Sequence, residues 1–464
     1  MTRSLPSVAP ASHRALAGKR ALVMGLGSFG GGEGAARYLA QLGARVLVTD
    51  RRSAAALSAT LQRLAGLPIE LVLGEHRVAD FERAELVVAN PAVRPDEPLL
   101  VAARAAGARV TSEIELFLEA VPASVVAVTG TQGKSSTCHL VHGLLASAGR
   151  RAHLGGNIGA SLLPRLADIH ADDVVVLELS SYQLEALQPD PPARAAAVAI
   201  VNILQDHLER HGSIERYVQA KLRILELLRP DGVAVLPHRD PRFAARAETR
   251  RALFFSADEA GGEDADLRVE DEHFVLGAER LGRVSDVALP GRFQRANALV
   301  ALGLARAVGV APAALAAALP CQHGLEHRLQ DLGTVRGKRV IDNGVSTTPD
   351  STISALESLP PGVLLLAGGR QKRLPLDELC IVARRRETRA VTFGEAGTIL
   401  AQALAAAGVE ARAAATLEEA IALAFAPGSL ADTVLFSPAC SSFDAFSNFE
   451  ERARAFRSAV ASLR

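Results

Sequence analysis

Three things are scarce in this 464-residue chain. It has only four cysteines, Cys138, Cys321, Cys380 and Cys440, far apart and with no Cys-x-x-Cys pair. A disulfide framework and a structural zinc site are thereby excluded as organising principles, and four packed thiols in a reducing cytoplasm are expected. No charge sign is in excess, because Lys+Arg and Asp+Glu both number 51. No global field therefore draws the protein to nucleic acid or to an anionic membrane, and anion binding must come from local sites. Residues 1–20 carry scattered charges and two prolines but no long apolar run, so neither a signal peptide nor a membrane span is expected.

Apolar residues are plentiful, at 49%, and the length calls for two or three domains. Three times the chain opens a run of apolar strands alternating with amphipathic helices, which predicts an α/β fold of parallel sheets covered by helices. The first run opens on the strand Arg20–Met24, followed by a glycine-rich turn, a helix and a second strand at Arg45–Thr49. The second opens on Ser124–Thr129, with further strands at Val174–Glu178 and Ala197–Val201 and a small hairpin or loop insertion over Asp258–Glu272. The third opens near Arg339–Ile341 and continues through Gly362–Leu366, Ala390–Thr392 and Asp432–Phe436. The alanine-rich segment Ala401–Ala407 reads as helix. The expected domains are 1–111, Rossmann-like, 112–323, a P-loop ATPase-like central parallel sheet, and 324–464, again Rossmann-like.

Gly130-Thr131-Gln132-Gly133-Lys134-Ser135 follows a strand and leads into a helix expected to start at Ser135. In that setting glycines let backbone N–H groups approach a phosphate, and the helix N-terminus adds partial positive charge. Lys134 would reach the β- and γ-phosphates of ATP, and Ser135 would hold Mg²⁺. The spacing is two residues shorter than the Walker consensus. Glu178 ends the apolar strand Val174–Leu177, and His207 follows the apolar segment Val198–Leu204. Both positions lie where open α/β sheets bind ligands, and oxygen ligands with an imidazole suit Mg²⁺ or Mn²⁺.

Gly25-Leu26-Gly27-Ser28-Phe29-Gly30 is a full Gly-x-Gly-x-x-Gly after a strand, with Asp50 ending the next one. Taken alone, this is a dinucleotide fingerprint and supports an NAD-dependent dehydrogenase. A nucleotide-gated binding module without catalysis is a third reading, opposed by Lys134, Glu178 and His207; Lys221, on the amphipathic segment Tyr217–Ile224, reads by itself as a surface lysine.

Val128–Ser136 resembles the ATP loop of the Mur ligases and their relatives, the folylpolyglutamate synthetases. The similarity extends over nearly the whole chain, through Gly155–Gly159, Leu177–Leu184, Asp206-His207 with Arg210–Gly212, Ser437–Asp444 and Asn448–Glu451. It is nearest to the MurD type, which adds glutamate to UDP-N-acetylmuramoyl-L-alanine. The resemblance implies ATP on Gly130, Thr131, Gln132, Gly133, Lys134, Ser135 and Ser136, with Asn297, Arg328 and Asn343 completing the nucleotide site between the second and third domains. It implies two Mg²⁺ sites drawn from Ser135, Glu178, His207 and Lys221, the last as a carbamate. Lys134, Glu178, His207 and Lys221 are then the catalytic set, and an acyl phosphate is the intermediate. Ser28, Phe29 and Gly30 would face the acceptor's diphosphate, Asp50, Arg51 and Arg52 the uridine, and Asn157 the acceptor from the second domain. A cytoplasmic monomer is implied, closing by movement of its third domain.

The third domain departs from the family pattern. Where the MurD type reads Asn-Asp-Ser-Lys-Ala-Thr-Asn-Pro, this chain reads Asp342-Asn343-Gly344-Val345-Ser346-Thr347-Thr348-Pro349, and Gln371 replaces a usual Asp. Phe293-Gln294 stands for His-Asn, and Gln132 for Asn. Thr347, Lys372, Ser442 and Phe449 remain at glutamate-binding positions, so a dicarboxylate still fits. The loss of a hydroxyl and a cation at Gly344-Val345 leads to the expectation of L-glutamate as substrate, with ordinary D-glutamate addition as the alternative.

Overall fold

The computed structural model describes residues 8–27, 30–204, 206–243, 251–258, 262–287, 292–371, 374–428 and 431–464. Ser28, Phe29 and Lys372 lie outside the described residues. Two compact units form, Met1–Asp286 with Ala296–Cys321, and Val287–Arg295 with Gln322–Arg464.

The first unit holds two sheets. One contains β1 (Arg20–Met24), β2 (Arg45–Asp50), β3 (Ile69–Leu73), β4 (Leu86–Ala89) and β5 (Arg109–Thr111). All are parallel, in the order β3-β2-β1-β4-β5. The order reverses beside β1, so a crevice opens where the chain leaves its carboxyl end at Gly25. The other sheet contains β6 (Ser124–Thr129), β7 (Ala152–Gly156), β8 (Val174–Glu178), β9 (Ala195–Ile200), β10 (Leu228–Pro237), β11 (Arg251–Ser256), β12 (Leu267–Glu270), β13 (His273–Leu276) and β14 (Glu279–Arg283). Its order is β14-β13-β12-β11-β10-β9-β6-β8-β7. The expected insertion over Asp258–Glu272 contributes β12, which pairs antiparallel with β13, as β13 does with β14, and so extends the parallel sheet. The central strand β6 is buried at five of its six residues, which explains its unbroken apolar sequence.

The second unit holds β15 (Gln330–Val335), β16 (Lys338–Asp342), β17 (Leu364–Gly368), β18 (Arg389–Phe393), β19 (Ala411–Ala413) and β20 (Thr433–Ala439). The order is β15-β16-β20-β17-β18-β19, with β15 antiparallel and the rest parallel. The loops after β16, β20, β17 and β18 therefore stand side by side along one carboxyl edge. The Ala401–Ala407 segment lies in the helix Gly397–Ala406 as its composition suggested, apart from its last residue. The cysteine expectation needs one correction: Cys138, Cys380 and Cys440 are buried, but Cys321 is exposed. Among the described residues no helix is long and apolar enough to cross a membrane.

Candidate active site

Sheet order sets up the phosphate loop. It leaves β6 between β8, which ends in Glu178, and β9, which leads into Asn202 and His207. Gly133 takes φ +83°, and a Cβ there would lie 2.4 Å from Asn297 Oδ1. Only glycine allows that turn and that approach. The helix Lys134–Ser147 starts immediately after it, one residue earlier than its sequence suggested, so its first-turn N–H groups face the loop. Asn297 also accepts from Thr137 Oγ1 at 3.4 Å, which ties it to the same helix start.

Asn202, which the sequence did not single out, braces the loop. Its Oδ1 accepts from Thr131 N at 3.1 Å and Gln132 N at 2.9 Å, and its Nδ2 donates to Gln132 O at 3.1 Å. The N–H groups of Thr131 and Gln132 are thus committed, and anion binding falls to those from Gly133 onward. Thr131 Oγ1 lies 2.9 Å from Tyr217 OH and accepts from Leu204 N at 2.9 Å, another pair of links missed from sequence.

Two lysines converge on one carbonyl. Gly130 O accepts from Lys134 Nζ at 3.1 Å and from Lys221 Nζ at 2.7 Å. Lys221 is 1% exposed and its Nζ stands 4.7 Å over the Tyr217 ring. Burial, aided by the Lys134 charge, holds its amine well below the usual lysine range. Amphipathic spacing on the helix Ile214–Leu222 would have made it a surface residue; the buried side of that helix instead carries it inward.

Glu178 is 2% exposed. Its Oε1 accepts from Asn157 Nδ2 at 2.9 Å, while its Oε2 is buried without a hydrogen-bond partner among the described residues. A buried carboxylate oxygen left unpaired beside a phosphate loop is the donor a hard cation takes. The residues present therefore fit Mg²⁺. Asn157, expected to touch the acceptor, here orients Glu178. His207 caps the short helix Leu208–His211 in the left-handed region at φ +51°, and its Nδ1 lies 3.5 Å from Tyr182 OH. No three His, Cys, Asp or Glu side chains converge as a metal cluster among the described residues. A cation here would complete its shell with phosphate oxygens and water, as Mg²⁺ commonly does.

At the first sheet, Gly30 takes φ +80° and caps the helix Gly31–Gln41, leaving that helix's N-terminus at the crevice. Asp50, expected near the uridine, is a brace. Its Oδ2 accepts from Leu26 N at 2.9 Å and from Arg52 at 2.9 Å, and its Oδ1 accepts from Arg52 N at 2.9 Å. Burial pushes its carboxyl up, but the bonds from Arg52 and Leu26 outweigh this and hold it below the usual range. A carboxylate so fully engaged is not free for a ribose, which weakens the dehydrogenase reading. Arg51 remains largely exposed.

In the second unit Asn343 is also committed. Its Nδ2 donates to Ser437 Oγ at 3.1 Å and its Oδ1 accepts from Leu329 N at 3.2 Å, so the side chain shapes the loop after β16. Asp342, missed from sequence, is 0% exposed and holds that loop through His327 and Arg457, each at 2.7 Å. Thr347 is half-buried on the same loop, Ser442 is buried after β20, and Phe449 opens the helix Phe449–Ala461. Arg328, half-buried, precedes β15. A Cβ on Gly344 would meet Ala453 Cβ at 2.6 Å and Phe436 at 3.1 Å. The missing side chain at 344 is thus a packing requirement.

Residues 128–305 match the Mur ligase middle domain, and residues 19–112 match the MurD-like N-terminal domain of Mur ligases. A UDP-N-acetylmuramoylalanine–D-glutamate ligase from Roseiflexus sp. is 38% identical, over 97% of this chain and 99% of that one. The enzyme of the same name from Symbiobacterium thermophilum is 34% identical, over 96% and 98%. The chain belongs to the Mur ligase family, as a MurD-type member. It is accordingly an ATP-dependent amide ligase of peptidoglycan synthesis. Among solved structures, the UDP-N-acetylmuramate–alanine ligase of Thermotoga maritima is similar in fold, with a TM-score of 0.58 at 20% identity over 96% of this chain and 100% of that one. A pseudomurein peptide ligase type C from Methanothermus fervidus gives 0.58 at 18%, with the same coverage.

Proposed function

We propose that this MurD-type ligase joins D-glutamate to UDP-N-acetylmuramoyl-L-alanine in the cytoplasm, consuming ATP through an acyl phosphate. Full-length similarity to relatives named for D-glutamate carries the choice of enantiomer. The L-glutamate expectation rested on Gly344-Val345, and its Gly344 half loses its force because packing against Ala453 and Phe436 accounts for the glycine.

In this reading the first-turn N–H groups after Gly133 hold the phosphates of ATP, and Lys134 leaves Gly130 O and Thr131 O to meet them. Asn297 contacts the nucleotide beside Gly133. Ser135 and Glu178 would hold one Mg²⁺, and His207 with carbamylated Lys221 a second, which would supply charge neutralisation at the phosphates. The acceptor carboxylate attacks the γ-phosphorus, the O–P bond forms, and the bond to ADP breaks. The glutamate amine then attacks the acyl carbon, loses a proton, and phosphate leaves from the tetrahedral intermediate. The chain's contribution is positioning and fixed charge. The helix start at Gly30, with Ser28 and Phe29, takes the acceptor's diphosphate, and Arg51 lies toward its uridine. Arg328 and Asn343 serve the nucleotide site, the latter by shaping its loop. Thr347, Lys372, Ser442 and Phe449 receive the amino acid. The domains are drawn at 1–111, 112–323 and 324–464.

Supplying each enantiomer of glutamate with ATP and the UDP-linked acceptor, and measuring phosphate release and amide product, tests this. Product with D-glutamate alone is expected. Product with L-glutamate alone overturns the enantiomer. NADH binding with no response to the uridine nucleotide overturns the substrates altogether.

A further inference from the structure

Arg452 is the bulkiest fully buried side chain in the molecule's described part, at 0% exposure. It lies on the inner face of the helix Phe449–Ala461, with Ala453, Phe456 and Val460. Its Nη1 donates to Gly368 O at 3.2 Å and to Ser441 O at 3.1 Å. Its Nε and Nη2 are buried and have no hydrogen-bond partner among the described residues. A buried cation with two donor nitrogens left idle is costly to keep.

One of these carbonyls ends β17 and the other lies in the loop after β20. Arg370 and Ser441 form an antiparallel bridge, with N···O distances of 2.9 and 3.0 Å in the two directions. Ser441 Oγ adds a bond to Arg370 O at 2.9 Å. Asp444 reaches across to the turn after β18, where Glu395 N donates to it at 3.3 Å. Arg452 thus lies under a stitched platform made from the loops after β17, β18 and β20.

Peptide planarity fixes where the next N–H points. The Ser441–Ser442 peptide is trans, so its N–H points opposite to its C=O. Arg452 and the Arg370 N–H together hold that carbonyl inward. The Ser442 N–H is then turned away from Arg452, on the same residue as the Ser442 hydroxyl. We propose that Arg452 is a positioning residue for the incoming amino acid: it fixes the Ser442 N–H and hydroxyl as a donor pair for one substrate carboxylate, and its buried charge strengthens that pair. This rests on the glutamate reading above.

The test compares wild type, R452K and R452M in steady-state assays that vary glutamate, ATP and the UDP-linked acceptor in turn. For R452M, the KM for glutamate should rise about tenfold to a hundredfold, with kcat and the other two KM values within about twofold. Lysine keeps the charge but loses the planar fork, so R452K should recover most of the loss, to within about fivefold of wild type. If R452M is insoluble, R452K decides alone: a rise of about threefold to fivefold confined to glutamate supports the proposal. Parallel rises in all three KM values, or an unchanged glutamate KM, overturn it. A wild-type enzyme that makes no product with either enantiomer of glutamate refutes the glutamate reading instead.

Discussion

Lys221 Nζ lies 2.7 Å from Gly130 O, so a buried amine touches the first residue of the phosphate loop. Desolvation by burial, reinforced by the Lys134 charge, holds this amine well below the usual lysine range. An amine so lowered is neutral over a wider part of the pH scale, and only the neutral amine adds carbon dioxide. Carbamate formation releases one proton and turns a donor into an anion. K221M and K221R should both lose activity by about a thousandfold, because neither side chain forms a stable carbamate. Carbon-13 bicarbonate should give a carbamate NMR signal in wild type that is missing in K221M and fades as pH falls through the lowered amine pKa. An active K221R enzyme would sink the idea.

Asn202 makes a different prediction, because it acts on the backbone of the loop. Removing its three side-chain hydrogen bonds in N202A frees Gln132 N–H and O to reorient, while Thr131 N keeps its 3.0 Å bond to the backbone carbonyl of residue 202. The KM for ATP should rise about tenfold, the scale of losing satisfied bonds in a half-buried site. N202D keeps the acceptor but loses the bond to Gln132 O and sets an anion beside the phosphates. It should therefore be worse than N202A for ATP while melting closer to wild type. The reverse ranking would show that the carboxamide serves stability alone.

Glu113 predicts a pH-dependent stability. It opens the helix Glu113–Ala120 and accepts a hydrogen bond from the Ser161 hydroxyl. Burial pushes its carboxyl from 4.5 up to about 7, against the smaller opposing effect of Ser161. A raised folded-state value means the folded protein holds the proton more tightly than the unfolded chain does. That stabilisation is complete below about 4.5 and is lost as pH rises through about 7. E113Q, which stays neutral, should match wild type at about pH 4 and melt roughly 2–5 °C higher near pH 8. Equal melting temperatures at both pH values would count against it.

What could be seen in the sequence follows from how local each signal is. Central parallel strands are buried on both faces, so β6 and β8 announce themselves as apolar runs, and both match their expected bounds. The strand expected from Gly362 begins instead at Leu364, because Gly362 turns at φ +86°. Lys134 and Glu178 were legible because strand, loop and helix follow one another in the chain. Asn202 was not, since Gln132 is 70 residues away. Arg452 was hidden for the same reason: one of its carbonyls is 84 residues distant, and a helix as rich in charge as Glu450–Arg457 reads as solvated. The Gly344 half of the handedness inference is weakened on a different ground. It treated an absent side chain at Gly344 as a statement about substrate, when the space is filled by the chain itself.

That last point can be tested directly. A Cβ at position 344 would lie 2.6 Å from Ala453 Cβ and 3.0 Å from Asp342 Oδ1, with Phe436 at 3.1 Å. None of these is the far end of a flexible side chain, because Asp342 is pinned by His327 and Arg457 and Phe436 stacks on Phe456 at 4.2 Å between ring centroids. G344A and G344S should each destabilise the protein by about 1–3 kcal/mol, the usual scale of overpacking. Neither should convert the enzyme from one glutamate enantiomer to the other. Thermal melts read the first expectation, and product formation from each enantiomer reads the second. A G344S enzyme that melts like wild type but changes its preferred enantiomer would return the position to the specificity pocket.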